Sequence, residues 1–310
     1  MGTHSITASY SGDSNFTGST SNTVSQVVNK ATTSLVSSIN PSVQGKSVTF
    51  TAVVSSLAGT PTGKVQFLNG TKVLATLTLT SGSAKYTTSK LPPGSNSITA
   101  VYEGDSNNSG STSAPVNQFV IAKTTTTLTS SPNPSAYGQT VVFTATVGSS
   151  IGAPPDGETV TFKKGTTVLG TGALSGGSAT FATSTLKVGT TSVTAVYGGD
   201  SKFAGSSKTM SQVVDKATTT TTLTSSLNPS KVGQSVTFTA SVAPQFSGTP
   251  TGKVAFYDGT TALKTVLLSG GVAKFTISTL TSGTHTIHFH GSMPAFNFTL
   301  DITYHLTVAK

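Results

Sequence analysis

The chain has 310 residues, no cysteine, 9% charged residues and a formal net charge of +9 at neutral pH. The lack of cysteine excludes the disulfide-bridged antibody type of sandwich, and no apolar run is long enough to span a membrane. All 18 basic residues are lysines, whereas nucleic-acid readers usually use arginine forks, so we expect no nucleic-acid partner.

Residues 1–30 have the pattern of two closing strands from a larger unit. Ile6, Ala8 and Tyr10 alternate with polar residues, which is the period of a half-buried strand, and the same order recurs at 94–123 and 189–216. We interpret residues 1–30 as the C-terminal two-strand remnant of a truncated unit. A lone hairpin is marginal in water, so two arrangements are open. The hairpin docks on a second copy, giving head-to-tail self-association, or it rests loosely on the following unit.

One opening stretch occurs three times, beginning at Lys30, Lys123 and Lys216, which lie 93 residues apart. In its second occurrence a proline-rich turn precedes a strand in which Phe143, Ala145 and Val147 alternate with threonines. A fixed period indicates an array of one supersecondary unit. The predicted full units are 31–123, 124–216 and 217–310.

Turn signals recur every 8–12 residues inside each unit, which is typical of a β-sandwich. In the first full unit Asn69 and Gly70 form a strong hairpin signal, and Asp258 and Gly259 take that place in the third. Roughly seven strands in about 93 residues suit one small sandwich. The predicted fold class is therefore all-β, with tandem sandwich modules.

Three motifs give the chain a resemblance to a known family. They are N-P-S-x-x-G-x-S/T-V-x-F-T-A near each unit start, P-x-G-x-V-x-F in the middle, and T-A-V-Y-x-G-D-S near the end. The chain resembles tandem bacterial Ig-like repeats of large secreted or surface-anchored proteins. This resemblance implies Ig-like modules and an extracellular or cell-surface location, although no signal peptide is visible. It also implies a non-catalytic stalk, spacer or adhesive module with a glycan or protein ligand.

An acidic turn follows the tyrosine of each intact closing hairpin, at Asp13, Asp105 and Asp200. One interpretation is a side chain that caps a tight turn. The other is a calcium site at the junction between units. Calcium takes six to eight oxygen ligands and each loop offers one carboxylate, so the turn is favoured.

The last unit departs from its siblings, because its closing strand contains histidines where theirs read T-A-V-Y. The apolar residues around His288 and His290 continue the inward face, so both histidines are expected to point outward. His305 lies on the next strand, and Asp301 is a fourth candidate ligand. These four residues predict a zinc or copper site. The alternative is drift or a frame disturbance that wrote histidines by chance.

Catalytic motifs are scarce in the sequence. There is no Gly-x-Ser-x-Gly elbow and no phosphate-cradling glycine loop, so we name no catalytic or cofactor-binding residue. The stretch from His288 to Gly291 also resembles the His-x-His-Gly element of multicopper oxidases, but the rest of that pattern is missing. The sequence favours a non-catalytic array without a cofactor. The rival hypothesis is a metal-dependent hydrolase or oxidase that uses the histidines of the last unit.

Overall fold

The structure, a computed structural model, describes residues 2–292, 296–297 and 304–310. Strands and turns, with no helix, make up these described ranges. The chain divides into two compact units. The first contains Met1–Thr125, Gly148–Pro154 and Gly198–Ser206, and the second contains Thr126–Val147, Pro155–Tyr197 and Ser207–Lys310.

The hairpin segment and the first full repeat form thirteen strands. They are β1 (Gly2–Ile6), β2 (Ser9–Gly12), β3 (Thr17–Thr20), β4 (Val24–Lys30), β5 (Thr32–Ser37), β6 (Ser42–Val43), β7 (Val48–Ser55), β8 (Lys64–Asn69), β9 (Lys72–Thr78), β10 (Ser83–Thr88), β11 (Gly94–Gly104), β12 (Asn108–Thr112) and β13 (Val116–Ile121).

The second and third repeats continue this pattern. Their strands are β14 (Thr124–Ser131), β15 (Ser135–Ala136), β16 (Val141–Ser149), β17 (Thr159–Lys164), β18 (Thr167–Ala173), β19 (Ser178–Thr183), β20 (Gly189–Gly199), β21 (Ala204–Asp215), β22 (Ala217–Ser225), β23 (Ser230–Lys231), β24 (Val236–Pro244), β25 (Lys253–Asp258), β26 (Thr261–Leu267), β27 (Val272–Ile277), β28 (Gly283–Ser292), β29 (Phe296–Asn297) and β30 (Tyr304–Ala309).

In the first unit a three-stranded sheet, β10-β7-β5, faces a larger sheet that contains β6, β13, β11, β8 and β9. The hydrophobic core lies between them and takes residues from both sheets, including Phe50 on β7 and Phe67 on β8. Along β7 the buried positions are Val48, Phe50, Ala52 and Val54, separated by residues that are more exposed. This is the predicted period of two, and burial of one face holds the strand in register.

The second unit repeats this arrangement. Sheet β14-β16-β19 accompanies sheet β15-β21-β20-β17-β18, and sheet β27-β24-β22-β29 accompanies sheet β23-β30-β28-β25-β26. Phe143, Phe162 and Phe181 place their rings 5.5 to 6.4 Å apart in one core. In the last repeat Phe238 and Phe256 are fully buried in a single cluster. The predicted all-β fold of tandem sandwich modules is confirmed, whereas the module boundaries stay predictions.

The asparagine of each N-P-S motif explains why that motif recurs. Asn40 donates from Nδ2 to the carbonyl of Asn117 (2.8 Å), and its Oδ1 accepts the N–H of Phe119 (2.9 Å). Asn133 and Asn228 make the same two types of bond to the closing strands of their repeats. The side chain imitates a neighbouring strand, so it fastens the opening turn to the last strand of the sandwich.

The strands of the hairpin at residues 1–30 pair as the closing strands of the first full repeat do, but no second sheet among the described residues packs on their apolar side. Ile6 lies opposite Val24, as Ile98 lies opposite Val116 in the first full repeat. The side chain of Ile6 is 57% exposed, whereas that of Ile98 is fully buried. Strand β4 pairs in parallel with β12 at its end, through Asn29. The backbone of the hairpin is therefore formed, while its apolar side stays open to solvent.

Candidate functional site

The histidine surface of the last repeat lies on strand β28. Ile287 and Phe289 are fully buried, and His288 between them is half-buried. The His288 ring stacks on Tyr257 of β25, with centroids 5.4 Å apart and planes 9° apart. The backbone of His290 pairs with Ala255 on β25. His288 is thus held by an aromatic neighbour on another strand, which no sequence motif indicates.

The other two predicted ligands lie on or near strand β30. His305 is exposed and pairs with Thr286, which places it diagonally to His288 on one face of the sheet. Asp301 lies outside the described residues. Over 2–292, 296–297 and 304–310, no group of three or more histidine, aspartate or glutamate side chains is placed to hold a metal ion. The structure brings His288 and His305 onto one face, and the metal site stays a prediction.

In the last repeat His285, which is not one of the predicted metal ligands, makes a close ionic contact with Asp258. His285 Nδ1 lies 2.6 Å from Asp258 Oδ2, and His285 Nε2 lies 2.9 Å from the carbonyl oxygen of Thr281. Burial opposes the charged imidazolium, but Thr281 and Asp258 outweigh it and raise the pKa of His285. The contact ties the β25–β26 hairpin to the start of β28.

The first repeat has a neutral counterpart of this contact at the equivalent positions. Asn69 donates from Nδ2 to Oδ1 of Asn96 at 2.8 Å. The hairpin signals Asn69-Gly70 and Asp258-Gly259 align, so a comparison of the repeats could have identified the pair from the sequence. The amide pair of the first repeat and the ionisable pair of the last repeat occupy equivalent positions. This indicates that the contact between His285 and Asp258 has a structural role.

The acidic turns cap the backbone. Asp105 accepts the N–H groups of Thr62 (2.9 Å), Asn107 (2.9 Å) and Asn108 (2.8 Å). The backbone N–H groups of Thr62 and Asn107 hold the pKa of Asp105 far below its usual range. Asp13 and Asp200 likewise accept two backbone N–H groups each. Carboxylates that already face donors act as turn caps, in contrast to a calcium shell built from converging oxygens.

An open groove lies in the first unit, where the first full repeat ends and the second begins. Its volume is about 1050 Å³, and its walls include Gln44, Lys46, Lys123, Thr124, Ser150 and Ser206. Gln44 Oε1 accepts the N–H of Lys123 (3.2 Å) and the hydroxyl of Ser150 (3.3 Å). Thr124 donates to the carbonyl of Ala204 (2.5 Å) and lies 2.7 Å from Ser206 Oγ. These bonds hold the walls of the groove together.

The corresponding junction in the second unit is filled. Tyr137 and Phe246 pack there against buried Ala217 and Val242. In addition, Ser247 donates its hydroxyl to the carbonyl of Gly138 at 2.8 Å. Tyr137 is the counterpart of Gln44, because both follow the N-P-S motif by two residues. Two aromatic side chains therefore fill, in the second unit, the space that is an open groove in the first unit.

The chain is similar to several solved structures at low sequence identity. The fibronectin(III)-like modules of CbhA from Clostridium thermocellum share 23% identity, with 58% of this chain and 93% of that one covered and a TM-score of 0.29. The Escherichia coli adhesin FdeC shares 13%, with 90% and 97% covered and a TM-score of 0.30. The ectodomain of mouse nectin-like molecule 4 shares 12%, with 87% and 96% covered and a TM-score of 0.38.

Comparison of the sequence itself gives the family. No curated protein matches the chain. The described residues contain no helix of the length and apolarity needed to cross a membrane. The sequence model of the bacterial Ig-like domain (group 3) matches residues 35–121, 128–215 and 223–290, which together exceed half of the chain. The chain therefore belongs to the bacterial Ig-like domain family, group 3, and carries three such domains in tandem.

Proposed function

We propose that the chain is a non-catalytic array that serves as a stalk or adhesive spacer of an extracellular or surface-bound bacterial protein. Direct hydrogen bonding between successive repeats in the first unit carries this proposal. The N–H of Ala122 donates to the carbonyl of Lys202 (2.8 Å), and the N–H of Ala204 donates to the carbonyl of Ala122 (2.8 Å). The end of one repeat is fixed to a loop of the next, which suits a spacer that transmits force.

Single-molecule pulling on the full chain tests this role. We expect three separate unfolding events, one for each domain. Each should release roughly 33 nm of chain, since an extended residue spans at most about 3.6 Å. Two larger events, or gradual lengthening without steps, would contradict an array of three mechanical domains. A substrate panel that revealed hydrolase or oxidase turnover would contradict the non-catalytic part of the proposal.

Residues 1–30 give the array a means of self-association with a second copy. Phe16 is 69% exposed and Ile6 lies uncovered on the apolar side of the hairpin, whereas the counterpart Ile98 is buried. We infer that a sheet of another copy covers this side, since β1 and β4 pair in the register that β11 and β13 have inside the first full repeat. Light scattering should show a concentration-dependent mass that disappears when residues 1–30 are deleted. An unchanged mass profile would exclude this contact.

A further inference from the structure

The groove in the first unit presents hydrogen-bond donors on Gln44, Lys46 and Lys123, while the side-chain acceptor of Gln44 is already in use. Gln44 Oε1 is occupied by Lys123 and Ser150, whereas its Nε2 has no partner among the described residues. Ser149 Oγ likewise accepts the N–H of Ile151 at 3.2 Å. The amide of Gln44 and the ammonium groups of Lys46 and Lys123 thus remain available. A ligand that is rich in acceptors fits these groups.

Charge narrows the class of ligand further. Lys46 and Lys123 are exposed, and neither forms an ion pair within the part of the chain that the structure describes. None of the residues that line the groove is acidic, so nothing there neutralises the two ammonium groups. None is aromatic either, so ring stacking supplies no affinity for a neutral sugar. The groove therefore favours a ligand that carries more than one anionic group.

The second unit shows that the position equivalent to Gln44 can hold a large side chain at the junction. At the equivalent position Tyr137 lies in the junction and packs with Phe246. The groove, at about 1050 Å³, has the room that drug-sized molecules occupy in other proteins. We propose that it binds an acidic oligosaccharide, with carboxylate or sulfate groups on Lys46 and Lys123 and ring oxygens or hydroxyls on the Gln44 amide. This inference rests on the adhesive role proposed above and names its ligand.

Isothermal titration of the full chain with an oligogalacturonate hexamer tests the site. We expect saturable binding that weakens as salt rises, and no binding of a neutral galactose hexamer. Lys46→Gln and Lys123→Gln should each weaken binding about fivefold, the equivalent of about 1 kcal/mol. Gln44→Tyr, which introduces the residue of the second repeat, should abolish binding because it removes the amide donor and places a ring among the residues that line the groove.

Lys72→Gln is the matched control, since Lys72 is exposed on β9 and does not line the groove. Equal weakening by Lys72→Gln would show general charge attraction and overturn the site. So would the absence of saturable binding, or binding that survives Gln44→Tyr. A glutamate hexamer that binds as tightly as the uronate would replace the glycan by an acidic protein. Three unfolding events on pulling without uronate binding would retain the spacer and reject the groove.

Discussion

The two junctions between full repeats share a backbone hydrogen bond but differ in their side-chain contacts. In the first, the N–H of Gln44 donates to the carbonyl of Ile121, and in the second the N–H of Tyr137 donates to that of Asp215, both at 2.8 Å. After this shared bond the side chains diverge. Gln44 holds polar walls around open space, whereas Tyr137 joins an apolar cluster. Two side chains, Tyr137 and Phe246, therefore make the second junction a packed contact, whereas the first junction is an open groove.

The glycines that follow show the same contrast. Gly45 and Gly138 both have positive φ, at 84° and 80°. A Cβ on Gly45 would meet nothing within 4 Å, but a Cβ on Gly138 would lie 2.0 Å from the carbonyl oxygen of Ser247. Conformation alone requires glycine in the first junction, whereas conformation and close approach both require it in the second.

The largest expected loss of stability comes from a substitution at Gly138 in the second junction. Gly138→Ala combines a left-handed backbone cost of about 1–2 kcal/mol with an overpacking cost of about 1–3 kcal/mol, and should destabilise the second unit by about 3 kcal/mol. Gly45→Ala carries only the first term and should cost about 1 kcal/mol. Urea unfolding followed by fluorescence compares the two midpoints. Equal losses would show that the contact between Gly138 and Ser247 does not form.

A smaller effect tests the aromatic filling. Phe246 is half-buried in the cluster, and its counterpart Ile151, ten residues after Val141 as Phe246 is after Val236, is 53% exposed. Phe246→Ala should cost about 2 kcal/mol, roughly half the loss at a fully buried phenylalanine. Ile151→Ala should stay within about 0.5 kcal/mol. Differential scanning calorimetry measures both, and a similar shift in both variants would contradict the difference between the junctions.

Much of the fold could be predicted from the sequence, because burial imposes a visible period. Alternation from Val48 to Val54 requires one buried face, and the hairpin signal at Asn69-Gly70 sets a turn, as the structure confirms. The buried Gln118 could not be predicted in this way. It lies fully buried and accepts the hydroxyl of Ser37 at 2.6 Å, although glutamine usually marks a surface. Its burial depends on partners from distant strands.

The candidate sites were less accessible to sequence reasoning. The groove depends on Gln44 and Ser150, which are 106 residues apart and meet only through the packing of two repeats. No local period or motif encodes that distance. Histidine spacing did indicate the strand that carries His288, but not Tyr257, which lies on a different strand and stacks on its ring. Contacts between strands follow from register, and register is a property of the whole sheet.

The closing strands of the last repeat differ from those of the other repeats by their histidines. If His288, His290, His305 and Asp301 bind zinc or copper, the ion should raise the melting temperature of the chain at neutral pH. At ten times the dissociation constant the stabilisation is about 1.4 kcal/mol. It should weaken as the pH falls, because protons compete with the metal ion for the ligand nitrogens. His288→Ala should abolish the shift, whereas His4→Ala, on the exposed strand β1, should not. Identical melting curves with and without metal would exclude the site.

The smallest expected effect concerns the ionisable pair that replaces the amide pair of the first repeat. The folded-state pKa of His285 is raised above its ordinary value of 6.5, so the imidazolium contributes stability that is complete below pH 6.5. That stability is lost as the pH rises through the folded pKa. Because Asp258 is 25% exposed, the loss should be below about 1 kcal/mol. Asp258→Asn combined with His285→Asn recreates the neutral pair and should remove the dependence. Melting temperatures of the wild type and the double variant, measured between pH 5.5 and 8.5, test this expectation. If both proteins showed the same dependence of melting temperature on pH, the pair would contribute nothing to it.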